Sequence, residues 1–151
     1  MTDEDYMQLA IDEAFAAAKR GEVPVGAILV DPSSGEIVAR AGNGPIELSD
    51  ATAHAEILAL RVACAARENY RLNGLTLYVT LEPCTMCAGA LSNARISRIV
   101  YGASDPKGGA VESGVKFFEA ASCHHRPDAQ GGVMARECAD ILKAFFKARR
   151  A

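Results

Sequence analysis

The sequence lacks an apolar run that approaches the roughly 18 residues needed to span a bilayer, so we expect no membrane association. It also lacks a basic leader. The first five residues include Asp3, Glu4 and Asp5, whereas secretory signals and transit peptides begin with positive charge. We therefore expect a cytoplasmic protein.

Positive charge is also scarce. The chain has 16 Lys and Arg against 19 Asp and Glu, and its formal net charge of −3 argues mildly against an extensive nucleic-acid-binding surface. The cations are unevenly spread, because Lys143, Lys147, Arg149 and Arg150 crowd the end of the chain without an acid. A cationic helix end is usually explained by the helix dipole, so charge alone leaves RNA contact as the minor interpretation.

The cysteine count excludes a simple disulfide framework. Five cysteines is an odd number, and two of them, Cys84 and Cys87, form a C-x-x-C motif. In a reducing compartment this spacing indicates metal or redox chemistry.

Apolar periodicity predicts one α/β domain over residues 1–151, half of which are hydrophobic. A helix is predicted from a Thr2 cap to a stop at Gly21. Further helices are predicted at 53–67, 84–95 and 133–149, and strands at 25–30, 36–40, 75–81 and 99–101, the last ended by Gly102. Residues 103–132 are predicted to be a loop with one or two short helices. This order is typical of a three-layer domain with a mostly parallel sheet.

Two motifs contain candidate chemistry, T-A-H-A-E at 52–56 and E-P-C-T-M-C at 82–87. The helix at 53–67 is about 22 Å long, and the strand at 75–81 returns about 23 Å in the opposite direction. The two motifs should therefore meet at helix N-termini above the carboxyl ends of strands, where open α/β sheets bind ligands.

One imidazole and two thiolates, from His54, Cys84 and Cys87, are a good zinc ligand set. Three protein ligands leave a fourth position for water, which is typical of a catalytic site. Glu56 lies two residues from the histidine, close enough to move protons of that water. Two alternatives remain, a redox cysteine pair and a closed structural site. The closed site needs a fourth ligand, for which Cys64, Cys123, His124 and His125 are the candidates.

The H-x-E and P-C-x-x-C motifs resemble those of the zinc-dependent cytidine and deoxycytidylate deaminase superfamily. Within it the chain is similar to the bacterial tRNA-specific adenosine deaminases over nearly its whole length. The shared segments are E-V-P-V-G-A at 22–27, N-Y-R-L at 69–72, the region 77–90, D-P-K-G-G-A at 105–110 and F-F-K-A-R-R at 145–150. It departs from the common pattern at Glu112, often glycine in the family, and through 123–132.

This resemblance implies a three-layer α/β/α fold of the cytidine-deaminase type with a central five-stranded mixed sheet. It also implies one Zn2+ per chain, a homodimer, and conversion of adenosine to inosine at wobble position 34 of a tRNA anticodon stem-loop. His54, Cys84 and Cys87 are then the metal ligands, and Glu56 is the catalytic proton carrier. The implied substrate-binding residues are Asn43, Asp105, Lys107, His124, Lys147, Arg149 and Arg150.

Two rival functions share parts of these motifs. A deaminase of free guanine or cytosine also has H-A-E and P-C-x-M-C, and only the 105–107 loop and the basic closing helix favour RNA. The other rival is a non-catalytic, zinc-stabilised RNA-binding module. Glu56 argues against it, because a structural site has no use for a carboxylate over an open coordination position.

Overall fold

A mixed sheet organises residues 1–150, the part of the chain that the computed structural model describes. Its strands are β1 (Gly26–Asp31), β2 (Glu36–Gly42), β3 (Thr76–Leu81), β4 (Arg98–Ala103) and β5 (Asp128–Gln130). The helices are α1 (Asp3–Lys19), α2 (Pro45–Leu48), α3 (Ala55–Arg67), α4 (Thr85–Asn93) and α5 (Ala135–Arg150), with a 3-10 turn at Phe117–Glu119. No helix within residues 1–150 is long and apolar enough to cross a membrane.

The strand order is β2-β1-β3-β4-β5. The β1 strand is antiparallel to both of its neighbours, while β3, β4 and β5 are parallel. The five-stranded mixed sheet is therefore confirmed. As expected of a mostly parallel sheet, β2, β3, β4 and β5 run in one direction, and β1 runs in the opposite one. The tight turn between β1 and β2 reverses the chain, and β3 then pairs on the other side of β1 in the opposite direction.

Helices cover both faces of the sheet, as the three-layer prediction requires. Alternate residues of each central strand point to opposite faces. Leu29 and Leu77 belong to a core cluster with residues of α3 and α4. Ile28 and Tyr78 belong to a second cluster with residues of α1 and α5. Since α3 and α4 share one face, their first turns lie side by side at the same sheet edge.

Three local features differ from the predicted elements. Gly102 lies inside β4 rather than ending it. A Cβ at this position would be 2.3 Å from the Cys138 sulfur, so the close approach of α5 requires glycine here. The loop after β2 contains the short helix α2. The β5 strand was predicted as loop, because all three of its residues are exposed and show no apolar alternation.

The start of α1 is fixed by two sets of polar contacts. Thr2 and Asp5 form the predicted capping box, with bonds of 2.8 and 3.1 Å. The Asp3 carboxylate accepts two hydrogen bonds from Arg98 of β4, at 3.0 and 2.8 Å, and one from the Tyr78 hydroxyl at 2.7 Å. The Arg98 hydrogen bond is the main cause that holds the pKa of Asp3 below its usual value.

We expect Asp3→Asn to destabilise the protein by about 1 kcal/mol at pH 7, because part of a charge-assisted network is lost at a half-buried site. A depressed carboxyl pKa stabilises the folded state above the unfolded pKa of 3.8, and this contribution is lost as pH falls through the lower folded value. Urea unfolding between pH 2.5 and 7 measures both effects. The control is Glu4→Gln in the same helical turn, and equal losses for the two variants would refute the role of Asp3.

Candidate active site

The two predicted motifs meet, as their spacing requires. His54 is the residue that precedes α3, and Cys84 is the one that precedes α4. Both have extended backbone conformations, so the chain turns into each helix at the functional residue. Cys87 follows one turn later in α4 and is fully buried. The spacing argument for the meeting of the motifs is confirmed.

The three side chains are arranged as a metal site requires. The His54 Nδ1 atom lies 3.6 Å from the Cys84 sulfur and 3.5 Å from the Cys87 sulfur. A tetrahedral zinc with ordinary Zn–N and Zn–S bonds places nitrogen and sulfur about 3.5 Å apart. Within residues 1–150, this cluster comprises those three residues. The donor set fits zinc and leaves one tetrahedral position for a non-protein ligand.

None of the four candidates for a closing ligand joins this cluster. Cys123 donates a hydrogen bond to the His125 carbonyl at 3.1 Å, and the His125 ring contacts the Ile96 carbonyl at 2.7 Å. Cys64 is half-buried against the core in α3. The closed structural site is therefore not supported within residues 1–150.

The electrostatics of the cysteine pair favour one thiolate even without a metal. A hydrogen bond from Cys87 is the main cause that lowers the pKa of Cys84 to about 5, and burial opposes it. The same contact and burial raise the pKa of Cys87. Cys84 is at a helix N-terminus, where the helix dipole stabilises an anion.

Glu56, in the first turn of α3, is only 4% exposed. Burial is the main cause that raises the pKa of its carboxyl to about 7, and its own backbone N–H opposes that shift. A neighbouring divalent cation favours the charged carboxylate and lowers this pKa. Glu56 therefore lies in a water-poor position beside the metal ligands, where it can both accept and donate a proton.

Asn43 has a structural contact that sequence reasoning did not predict. Its Oδ1 atom accepts the Ala55 backbone N–H at 2.8 Å, in the first turn of α3. His54 makes no side-chain capping bond, so Asn43 supplies this cap from the preceding loop. The contact orients the amide, because the N–H requires the oxygen on that side. The Asn43 NH2 group is left to donate elsewhere.

These side chains enclose one cavity of about 310 Å³. Its lining includes Asn43, His54, Glu56, Cys84 and Asp105, together with apolar side chains such as Val25 and Leu81. This volume is at the lower end of the roughly 300–1,000 Å³ that small-molecule sites span. The cavity can hold one small ring system beside the metal ligands and the buried carboxylate.

Comparison with known proteins identifies the family. The family model for the cytidine and deoxycytidylate deaminase zinc-binding region matches residues 1–103. The tRNA-specific adenosine deaminase of Agrobacterium fabrum is 57% identical over 145 residues, 96% of this chain and 94% of that protein. The protein of the same name from Haemophilus influenzae is 49% identical over 148 residues, 98% of this chain and 85% of that protein. This chain belongs to the tRNA-specific adenosine deaminases of the zinc-binding deaminase family.

A solved structure supports the fold assignment. It comes from work on A-to-I editing by tRNA:A34 deaminases at the wobble position of transfer RNA. That chain is 57% identical, superposes with a TM-score of 0.89, and the match covers 91% of this chain and 99% of that one. The α/β/α deaminase fold predicted from the motifs is therefore confirmed.

A residue of this deaminase that sequence reasoning missed is Glu82, just before the Pro83-Cys84 pair. Its carboxylate is 2% exposed and accepts the backbone N–H groups of Asp105, Val111, Glu112 and Ser113 at 2.8–3.0 Å. The Ser113 hydroxyl donates a fifth bond at 3.0 Å. Burial alone would raise the pKa of Glu82, but these donors outweigh it and hold the pKa below its usual range.

The 105–113 loop folds directly around this carboxylate. A Cβ on Gly109 would lie 2.3 Å from the Glu82 carboxyl carbon, so only glycine fits there. The Ala110 N–H also bonds to the Pro83 carbonyl at 2.9 Å. In the sequence, the role of Glu82 is indicated by a glutamate at the end of an apolar strand.

Glu112, the departure from the family pattern, accepts a hydrogen bond from the Tyr101 hydroxyl.

The remaining predicted site residues lie at different distances from the cavity. Asp105 lines it, and Lys107 is exposed on the same loop. Lys147 and Arg150 are exposed near the end of α5. Arg149 donates to the Gly21 carbonyl at 2.7 Å and lies 4.4 Å from the Phe145 ring centroid. His124 lines a separate cavity at the far end of α4.

We expect Glu82→Gln to destabilise the protein by about 2 kcal/mol, because the amide NH2 faces backbone donors and leaves a buried N–H without an acceptor. Hydrogen exchange of the amides of residues 105 and 111–113 should accelerate more than that of the core strands. The matched control is Glu112→Gln, whose carbonyl can still accept from Tyr101. Equal exchange rates in the two variants would show that Glu82 does not hold the loop.

Proposed function

We propose that this chain is a hydrolase that converts adenosine to inosine at position 34 of tRNA anticodon loops, with one Zn2+ per chain held by His54, Cys84 and Cys87. The observation that carries the proposal is the placement of buried Glu56 and this three-ligand cluster in one cavity. The choice of tRNA as substrate is supported by 57% identity over 96% of the chain to a tRNA-specific adenosine deaminase. Anticodon bases are single-stranded, so one of them can leave its stack at low cost.

When bound, zinc lowers the pKa of a coordinated water to about 7. The Glu56 carboxylate takes a proton from the water that attacks C6 of adenine. The same carboxyl then gives a proton to N1 and moves a further proton to the exocyclic amine, which leaves as ammonia. Water and adenosine are consumed, and inosine and ammonia are formed. One carboxyl within reach of the water, N1 and the exocyclic amine can act in turn as base and acid.

Asn43 positions the base in this mechanism. Its oxygen is occupied by the Ala55 N–H, so its NH2 group is the part that faces substrate acceptors. It donates to an acceptor nitrogen on the edge of the base. Because the same amide caps α3, the Asn43 contact fixes the base relative to His54 and Glu56 on that helix.

The central test of this mechanism is Glu56→Gln, which keeps the side-chain size and removes the proton carrier. We expect the variant to retain one zinc per chain and its affinity for an A34 stem-loop. The rate of inosine formation should fall at least 1,000-fold, which is within the range of rate losses for removal of an acid–base group or a preorganised polar group. Metal analysis and inosine quantification measure the two properties. Glu68→Gln at the end of α3 is the control. A variant that keeps most of its turnover, or loses its zinc, would contradict the assignment.

The proposed RNA footprint consists of residues at the wall of the cavity and of cations on α5. Asp105 and Lys107 lie on the loop that forms one wall of the cavity, where they can contact sugar and phosphate around the flipped base. Lys147 and Arg150 are exposed on α5 and are available for phosphates. Arg149 is also proposed to contact RNA, although its guanidinium already bonds to Gly21. These contacts position the anticodon loop of the RNA, and the cavity selects adenine.

The Lys147→Ala/Arg150→Ala variant should weaken stem-loop binding and lower the slope of log K against log salt by about 1.4, which is roughly 0.7 per lost phosphate contact. The preference for adenine should not change. Arg136→Glu lowers the net charge by the same two units at the exposed start of α5 and should leave the slope as it was. If both variants bind alike at every salt concentration, these α5 cations are not part of the footprint.

We also propose a homodimer. Apolar side chains of α2 and α3 are exposed beside one another, with Ile46 at 70%, Leu48 at 52% and Val62 at 49%. Leu48 and Val62 line the same surface depression. Burial of such a patch against a second copy removes apolar surface from water.

Light scattering of the wild type at micromolar concentration should give twice the chain mass of 15.9 kDa. Leu48→Glu/Val62→Glu should give the mass of one chain, because a charged side chain is costly inside an interface. Phe15→Glu, on exposed Phe15 of α1, is the control and should remain dimeric. A wild-type mass of one chain would refute the dimer.

The remaining features of the proposal concern the extent and location of the protein. We propose that residues 1–151 act as a single deaminase domain, because both the metal ligands and the cavity lining come from one sheet and its helices. We propose a cytoplasmic location, since the proposed tRNA substrate functions there.

A further inference from the structure

Glu22 is a buried carboxylate that the proposed mechanism does not use. It lies between α1 and β1, and only 1% of its surface is exposed. In the part of the chain that the structure describes, no Lys or Arg side chain forms an ion pair with it. Burial of a carboxylate without a cationic partner is costly, so other contacts must compensate for it.

The compensating contacts come from α2. The Ile46 N–H donates to Glu22 Oε1 at 3.2 Å, and the Glu47 N–H donates to Oε2 at 2.8 Å. Each N–H therefore has its own carboxylate oxygen. A glutamine would not serve equally well, because its NH2 group would face one of the two donors.

The position of α2 depends on such contacts with the rest of the domain. It is a single turn of four residues, too short to be stable alone. Ile46 and Leu48 are more than half exposed, and at an exposed helix start water is an alternative partner for the N–H groups. A buried carboxylate is therefore not needed merely to satisfy these donors. Its effect is to fix where α2 lies.

The segment that leads into α2 forms one wall of the catalytic cavity. Asn43 and Pro45 line the cavity, and Pro45 is the first residue of α2. The near end of this segment is fixed because the Asn43 N–H bonds to the Val25 carbonyl at 3.0 Å. The Gly44 N–H bonds to the Ala53 carbonyl at 3.0 Å. Glu22 holds the far end of the same segment.

Arg20 contacts this segment as well, but from an exposed position. Its Nε atom lies 3.2 Å from the Glu47 carboxylate, and its guanidinium donates to the Asn43 carbonyl at 3.4 Å. The two side chains of the ion pair are 40% and 58% exposed, so water and salt weaken their attraction. The buried bonds to Glu22 are therefore the stronger restraint on the position of α2.

We infer that Glu22 is a positioning residue for the deamination, which holds α2 so that the Asn43 amide keeps the base in line with Glu56 and the metal ligands. Glu22 is not among the residues within 1–150 that line the cavity, so it acts through the wall segment. This inference rests on the proposed function for the role of Asn43. Since a misplacement of about 1 Å can cost up to 100-fold in rate, kcat is the quantity that should respond.

The test variant is Glu22→Gln, which keeps the side-chain size and removes one of the two acceptors. For an A34 stem-loop we expect kcat to fall about 10-fold while KM changes by less than about twofold, because phosphate contacts elsewhere supply the affinity. The matched control is Asp3→Asn, an acid-to-amide change in a carboxylate bonded to Arg98 at the opposite end of β4. It should leave kcat within about twofold. Melting temperatures show whether both variants are folded.

A double-mutant cycle tests whether Glu22 acts through Asn43. In single-turnover assays, Glu22→Gln should slow the reaction about 10-fold in the wild-type background but less than about twofold in the Asn43→Ala background. An effect that does not pass through Asn43 would be equal in both. Hydrogen exchange of the Ile46 and Glu47 amides should also be faster in Glu22→Gln than in Asp3→Asn.

The outcomes separate this inference from the proposed function. An unchanged kcat in folded Glu22→Gln, an equal fall in both backgrounds, or equal amide exchange in Glu22→Gln and Asp3→Asn would overturn the inference, while wild-type deamination of A34 still supports the proposed function. If the wild type releases ammonia from free guanine or cytosine but not from the stem-loop, the proposed function fails. The same kcat ratio, measured on that base, then decides the role of Glu22.

Discussion

The site depends on two helices that begin at the same edge of the sheet. The residue before each helix is ordinarily a Ser, Thr, Asp or Asn that caps the free N–H groups. Here these positions are held by His54 and Cys84, neither of which makes a side-chain cap bond. Their side chains face each other instead, 3.6 Å apart. The fold gives up two local caps, each worth about 1 kcal/mol, and gains a metal site.

Polar groups from distant segments compensate for part of this loss and shape the cavity. Asn43 supplies the cap that α3 lacks. The buried carboxylate of Glu22 accepts the Ile46 and Glu47 N–H groups at the start of α2. Glu82 does the same for the 105–113 loop on the other side of the cavity. Both walls are thus held by carboxylates that satisfy the backbone donors of segments outside the sheet.

The metal site was predictable from the sequence because it depends on spacing alone. His54, Glu56, Cys84 and Cys87 lie on elements with clear apolar periodicity, and the lengths of one helix and one strand bring them together. The amphipathic helices and the β1–β2 pair were predictable for the same reason. The direction of β1 relative to β3 was not, because a strand has the same periodicity in either direction.

Other features are invisible in the sequence because they depend on contacts between distant segments. Glu22 and Glu82 look like ordinary charged residues until their backbone partners are known. Gly102 looks like a strand terminator, although its role is to admit the Cys138 side chain. Nothing in the exposed residues of β5 distinguishes them from a loop. The separation of His124 from the cavity likewise follows from the path of the 117–130 segment over the end of α4.

The most direct test of the central claim is substrate choice by the purified zinc-loaded protein. Ammonia release is measured in parallel from an anticodon stem-loop with adenosine at position 34, the same stem-loop with cytidine at that position, free guanine and free cytosine. The structure and the family assignment predict ammonia from the A34 stem-loop alone, with inosine as the matching product. Release from free guanine or cytosine with none from the A34 stem-loop would contradict the assignment, and would show that the same metal site serves a free base.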